Sequence, residues 1–425
     1  MKRILDAGGL SQFYTGWREL SPVMLLEYTL YEAVDRDKLQ IALEKAIDIF
    51  PVYRVKLTLN DKRQPIYEEN AVVPTVYEDD GRAHTFGKES RGYLFRLSFH
   101  GRTISLSMHH TLTDYFGANE FLKYILRRYL TQIDEGINTS IDTIAVDPSD
   151  LRDPYGLLGD INAVGYNMSG NWENELIIPN SMRYRRELPQ QSRCIMFRVE
   201  KLLLAAKKNE SSVFSTLSWL IANAASRTYE AEGKAIVGDG AADYRKIYNS
   251  RTPLCFSHSF KTILLPRERY MDLDIQLTVQ RARMDLMLDR ETTDREIALR
   301  RKSADRMNGP IEEYVMNQGA LDVERKEGEK KSAFFLSYLG NLDLPDDIAA
   351  YVDSCRAFSP TTRGPVKGVA YSWKNVMYIN LIEQACEKSI VPDLQRILAE
   401  FAVESSVTEL CEKYYDYFPM EELID

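Results

Sequence analysis

The chain of 425 residues contains five histidines, and two of them are neighbours in the run His109-His110-Thr111-Leu112-Thr113-Asp114. An adjacent pair arises by chance about one time in twenty at that frequency, and the aspartate four places on makes coincidence rarer still. Histidine is the side chain suited to moving protons near neutral pH. A carboxylate nearby can orient an imidazole directly or fix the loop that carries it. The run is therefore a candidate proton-transfer centre. Two other readings of the same residues stand beside it. Both rings can be satisfied structural histidines at a strand end, with Asp114 capping the helix that follows. Two His and one Asp can also ligate iron or zinc, although neighbouring residues on a strand point apart, which makes joint ligation awkward.

The surrounding sequence says what positions these residues. Gly92–Phe99 and Thr103–Met108 read as successive strands with a turn at His100-Gly101. In the second strand Ile104, Leu106 and Met108 alternate with Ser105 and Ser107, giving one apolar face. Continued one step, that alternation puts His110 on the apolar face and His109 on the other. Asp114 and Gly117 mark a turn, and Phe121, Leu122, Ile125 and Leu126 have helical spacing over 118–130. A loop on a rigid strand-to-helix support is a common setting for an active site.

His-His-x-x-x-Asp at a strand end resembles the signature of the chloramphenicol-acetyltransferase-like superfamily, which includes alcohol O-acetyltransferases and nonribosomal peptide condensation domains. Other segments are similar in the same order. Asp35-Arg-Asp-Lys-Leu39 through Ile49-Phe50-Pro51 resembles the first long helix with its Phe-Pro step. Gly238-Asp-Gly-Ala-Ala-Asp243-Tyr244-Arg245 resembles a strand ending in Asp-x-Arg, and Phe334–Leu342 with Pro345 resembles the Ser-Asn-x-Gly strand. Two departures stand out. Tyr115 and Phe116 intervene before Gly117, where many relatives have Gly directly after the motif Asp, and Ser337-Tyr338-Leu339-Gly340 lacks the Asn.

The resemblance implies an α/β (α+β mixed) fold of two acetyltransferase-like halves, 1–175 and 176–425, meeting at a central cleft or tunnel. It implies an acyltransferase, alcohol O-acetyltransferase-like, moving an acyl group from a thioester to a hydroxyl or amine. His110 is then the general base, with His109 shaping the loop. Asp114 holds the loop by pairing with Arg245. Ser337, or a backbone N–H near Gly340, donates to the oxyanion, and Tyr115 and Phe116 line the acceptor channel. The donor is acyl-CoA, with no permanently bound cofactor and no metal. Acyl-phosphopantetheine on an acyl carrier protein, as in condensation-type enzymes, is the alternative donor. A catalytically silent binding protein is the alternative outside enzymes. No GxSxG elbow is present and no cysteine sits beside the motif in sequence, so no covalent enzyme intermediate is indicated.

Composition bounds these readings. A mass of 49.0 kDa predicts more than one packing unit. A net charge of −9 argues against a general nucleic-acid role. No apolar run approaches the roughly 20 residues that cross a bilayer. Asp6 and the glycines after it break any signal-peptide core. The expected setting is the cytoplasm, as a monomer. Cys194, Cys255, Cys355, Cys386 and Cys411 are too scattered for a CxxC site and read as reduced structural thiols. Arg183-Tyr184-Arg185-Arg186 is a candidate phosphate-facing patch or a solvated connector.

Along the chain, a helix is expected at 37–49. A connection poor in apolar periodicity spans 147–171, and a strand follows near 192–199. A helix over 213–230 has Phe214, Leu217, Leu220, Ile221 and Ala224 on one stripe. Strands are expected at 235–239, 256–265, 332–339 and 371–381, and helices at 272–288, 292–307 and 393–402. Asn308-Gly309-Pro310 ends the second of these helices. Glu324–Lys331, with seven charges in eight residues, reads as an exposed loop or frayed helix.

Overall fold

The computed structural model describes residues 2–16, 23–81, 87–137, 154–155, 175–176, 178, 190–313, 332–359, 365–384 and 386–410. The connection at 147–171, the Arg183–Arg186 patch, the charged run 324–331 and Cys411 lie largely or wholly outside the described residues.

Strand β1 (Lys2–Ile4) and helix α1 (Ala7–Gly16) precede β2 (Val23–Leu30), α2 (Arg36–Ile49), β3 (Val55–Leu59), β4 (Pro65–Glu69) and β5 (Val76–Glu78). The histidine-bearing hairpin is β6 (Phe95–His100) and β7 (Thr103–His109), followed by α3 (Tyr115–Leu130). Later come β8 (Gln190–Arg198), α4 (Val199–Lys208), α5 (Val213–Thr228), β9 (Ile236–Asp243), the short α6 (Arg245–Tyr248), β10 (Ser257–Leu264), α7 (Leu273–Met287) and α8 (Arg290–Met307). The chain then forms β11 (Phe334–Asn341), α9 (Asp346–Ala349), β12 (Val352–Phe358), β13 (Val366–Trp373), β14 (Val376–Gln384), α10 (Val391–Glu400) and β15 (Ser405–Glu409).

These strands make three sheets, in the orders β1-β4-β3, β12-β2-β7-β6-β5 and β10-β9-β11-β13-β14-β8-β15. The middle sheet carries β7 and packs with α2 and α3 into one hydrophobic core, while α5, α7 and α10 pack on the large sheet around a second. β13 serves both. Val369, Tyr371 and Trp373 face the first core, and Val366 and Ala370 face the second, as the two-residue strand period requires. β12, late in the chain, completes the β7 sheet by pairing antiparallel with β2 from Val352↔Leu30 to Phe358↔Leu25. The mixed α/β class expected from the sequence is the one observed.

Several expectations are corrected. His100 pairs with Thr103, so the tight turn is Gly101-Arg102 rather than His100-Gly101, with Gly101 at φ +55°. The single strand expected at 371–381 is a hairpin, β13 and β14 turning at Lys374-Asn375. Both turn residues have positive φ, the conformation of a two-residue hairpin that usually takes Asn-Gly, so the sequence lacked the glycine that announces it. Helix α3 begins at Tyr115, earlier than the apolar spacing indicated, because Asp114 caps it: its carboxylate accepts from the backbone N–H groups of Phe116 and Gly117.

Candidate active site

Strand β7 ends at His109, which pairs with Val23 of β2. His110 lies in the turn beyond the ladder, so its direction is set by the turn and not by strand alternation. The two rings are fixed in different ways. His109 is 1% exposed, and its Nδ1 accepts the N–H of Thr111 at 3.2 Å. Its proton therefore resides on Nε2. His110 is half-buried, and its Nδ1 lies 2.8 Å from the carbonyl oxygen of Thr113. A carbonyl only accepts, so in the neutral ring Nδ1 carries the proton and Nε2 the lone pair. Among the described residues Nε2 engages no hydrogen-bond partner. A neutral imidazole with one nitrogen anchored and the other unengaged is the arrangement a general base requires.

Burial lowers the pKa of His110, an effect reinforced by Lys367 and opposed by Asp114 and by the backbone carbonyl of Thr113. The ring is thus uncharged at neutral pH. Burial, with the neighbouring His110, pushes His109 down to about 3. A histidine with a depressed folded-state pKa favours folding when neutral. Its contribution is complete above about pH 6.5, where the unfolded residue also loses its proton, and disappears as pH falls toward 3. Replacing His109 with Leu is expected to flatten the pH dependence of stability across that window relative to the parent. Urea unfolding at pH 7 and at pH 4 measures the difference, and parallel losses in both proteins would exclude His109 as its source.

Asp114 and Arg245 form a buried, two-pronged ion pair. Nη1 of Arg245 donates to one carboxylate oxygen at 2.9 Å and Nη2 to the other at 3.0 Å, with the two residues 5% and 4% exposed. The backbone N–H of Phe256 donates to the same carboxylate at 2.9 Å. Arg245 also donates to Asp243, 2.9 Å away, and to the carbonyls of Thr252 and Leu254. Burial alone would lower the pKa of Arg245, but the carboxylates of Asp114 and Asp243 raise it above the ordinary value. The guanidinium also stacks over the ring of Phe116 at 4.5 Å. A second latch lies beside this one. Thr113 and Tyr53 hydroxyls both donate to the carbonyl of Pro253, and a β-carbon on Gly117 would sit 2.2 Å from that oxygen. Gly117 is required by this close approach.

Other residues singled out by sequence fall in different places. Tyr115 is tied by its hydroxyl to the carbonyl of Phe358 at 2.6 Å, joining α3 to the end of β12. Phe116 is 38% exposed beneath Arg245. Ser337 on β11 is half-buried between Ala241 of β9 and Val369 of β13, and its hydroxyl bonds none of the described residues. The parallel register sets the C-terminal part of β11 beside the end of β9, where Asp243 lies. Gly340 has φ +79° at the irregularity between Tyr338 and Asn341, with open space beside its Cα. Neither Ser337 nor Gly340 hydrogen-bonds the His110–Asp114–Arg245 group.

One neighbour was invisible to motif reading. The thiol of Cys255, 145 positions from His110, lies 4.0 Å from its Nδ1. Burial and the charge of Asp114 push that thiol up to about 12, so it stays protonated. With Nδ1 already committed to Thr113, a thiolate–imidazolium pair does not form. Among the described residues no group of three His, Cys, Asp or Glu side chains is placed to hold a metal ion, and no helix is long and apolar enough to cross a membrane.

Comparison with family models and with curated protein sequences gives no match. Solved structures do match over nearly the full length. TRI101 of F. graminearum, crystallised with coenzyme A and T-2 mycotoxin, superposes with a TM-score of 0.63 at 12% identity, covering 95% of this chain and 99% of that one. The trichothecene 15-O-acetyltransferase TRI3 of Fusarium sporotrichioides gives 0.62 at 11% identity, covering 94% of each chain. Polyketide synthase associated protein 5 of Mycobacterium tuberculosis gives 0.61 at 11% identity, covering 94% and 96%. The protein therefore shares its overall fold with these solved structures.

Proposed function

We propose that this protein is an acyltransferase that moves an acyl group from acyl-CoA to a hydroxyl or amine, with His110 as the general base. The observation that carries the reading is the tautomer imposed on His110. The Thr113 carbonyl holds the Nδ1 proton, which leaves the Nε2 lone pair for substrate. An acceptor hydroxyl beside Nε2 gives up its proton as its oxygen attacks the thioester carbonyl. The resulting oxyanion takes a hydrogen bond from the Ser337 hydroxyl or from backbone N–H near Gly340. When the tetrahedral species collapses, the C–S bond breaks and the proton on Nε2 passes to the departing thiolate. Asp114 takes no part in the proton transfers of this scheme; it fixes the loop through Arg245.

Acyl-CoA is favoured as donor because solved structures of the same fold contain coenzyme A. An acyl group on a carrier-protein phosphopantetheine presents the same thioester arm and is the second reading. In either case one chain acting in the cytoplasm as a monomer suffices. The test is release of free thiol from a panel of acyl-CoA donors with alcohol and amine acceptors, with product identified by mass spectrometry. Acceptor-dependent release supports the proposal. Release only from acyl-carrier protein transfers it to the second reading. Ligand binding without turnover of either donor identifies a silent binding protein.

A further inference from the structure

Helix α8 turns a buried stripe inward, and one cation stands on it. Thr293, Ile297 and Ala304 are buried along that face, and Ile297 and Ala304 join the first hydrophobic core. Arg300 comes three residues after Ile297 and four before Ala304, which puts it on the same inward face. One end of its guanidinium is fixed: Nη1 donates to the Tyr155 hydroxyl and to the Ser257 carbonyl, both at 2.8 Å. Nε and Nη2 make no hydrogen bond among the described residues. They are not sealed in packing either, since the side chain is half-buried and retains accessible surface. No carboxylate of the described residues, Glu296 one turn earlier included, comes within ion-pair distance of 4.0 Å. The ionisable groups that act on Arg300 most strongly are Tyr155, Cys255 and Tyr244. Burial raises the pKa of all three, so they are uncharged at neutral pH. An inward-facing cation is ordinarily paired, and this one has only neutral neighbours.

Arg300 also lies close to the proposed base. Ser257, whose carbonyl it holds, has its hydroxyl 4.0 Å from the Cys255 sulfur, and that sulfur is 4.0 Å from Nδ1 of His110. We propose that Arg300 is a specificity-determining residue of the acyl-transfer site, receiving through Nε and Nη2 a carboxylate that the substrate carries near its reacting group. The inference rests on the acyl-transfer reading and names the substrate class for it. Nε–H and Nη2–H point the same way and form the fork that takes a carboxylate side-on. The phosphates of coenzyme A are set apart from the thioester by a whole pantetheine arm. One cysteine side chain lies between His110 and the Ser257–Arg300 pair, so the anion belongs to a part of the substrate nearer the reacting carbonyl. That part is either the acceptor or the far end of the acyl group.

Isothermal titration of the intact protein with matched acid and neutral probes tests this without turnover. The acceptor probes are 4-hydroxybutanoate, 6-hydroxyhexanoate and 4-hydroxybenzoate, each against its methyl ester. The donor probes are adipoyl-CoA against hexanoyl-CoA. The expected result is that an acid in one set binds at least about tenfold more tightly than its neutral partner, as a charge-assisted hydrogen-bond pair gives. The set in which the preference appears assigns the carboxylate to acceptor or acyl group. Arg300→Met should bind the acid no better than its neutral partner, whose own affinity stays as in the parent. The variant should fold, because the Ser257 carbonyl keeps the Tyr155 hydroxyl as donor at 2.9 Å. Should it fail to fold, Arg300→Lys, which keeps the charge and loses the fork, is expected to lose most of the preference. The inference is overturned if no acid outbinds its neutral partner in either set, or if the preference survives in a folded Arg300 variant. An active acyltransferase indifferent to charge would sink this inference alone. An acid preference set by Arg300 in a protein that transfers nothing would sink the acyl-transfer reading instead and leave an anion-binding site.

Discussion

Replacing His110 with alanine is expected to lower turnover by about 10²–10⁴-fold, the usual contribution of a positioned general base. Stability should change little. His110 is half-buried, and the hydrogen bond to Thr113 is worth roughly 1 kcal/mol net. The loss should fall on kcat with KM little altered, because the imidazole acts as the proton moves and not as the substrate docks. Circular dichroism and thiol release on the same preparation separate a dead site from an unfolded chain. A folded variant with full turnover would remove His110 from the mechanism.

The second large effect is on stability. Arg245 neutralises Asp114 and Asp243 and donates to the carbonyls of Thr252 and Leu254. Arg245→Met strands all of these groups, and breaking a buried pair from one side costs about 3–5 kcal/mol. Asp114→Asn should cost less. The amide oxygen still accepts from the N–H groups of Phe116 and Gly117, and Arg245 keeps Asp243 as counter-ion. The double variant is expected to be more stable than the sum of the two single losses predicts, since residues in one network do not add. Chemical denaturation of the four proteins gives the coupling directly. Strict additivity would mean that the two side chains stabilise the fold independently.

Much of this arrangement was legible because its signals are local. Apolar spacing located α3 and α5, and alternation located β7. The juxtaposition of Asp114 with Arg245, separated by 131 positions, is a different matter: family resemblance suggested it, whereas spacing in the sequence does not. What stayed illegible depends on tertiary contact. The hairpin at Lys374-Asn375 lacks a glycine to announce it. Cys255 reaches His110 only through the packing that Arg245 organises. The direction of His110 is set by one carbonyl, that of Thr113, and extrapolating strand alternation past His109 misses the turn in which it sits. Ser337 and Gly340 lie on β11, inside the large sheet, and neither hydrogen-bonds the ion pair.

The central claim is that His110 is a neutral base with its lone pair on Nε2. Nitrogen-15 NMR of histidine-labelled protein across a pH titration reads this without knowledge of the substrates. The account expects His110 to show a protonated Nδ1 and an unprotonated Nε2 at pH 7, and to take up its second proton below the usual histidine range, as its lowered pKa requires. A proton on Nε2 at neutral pH, or an imidazolium persisting above pH 7, would contradict it.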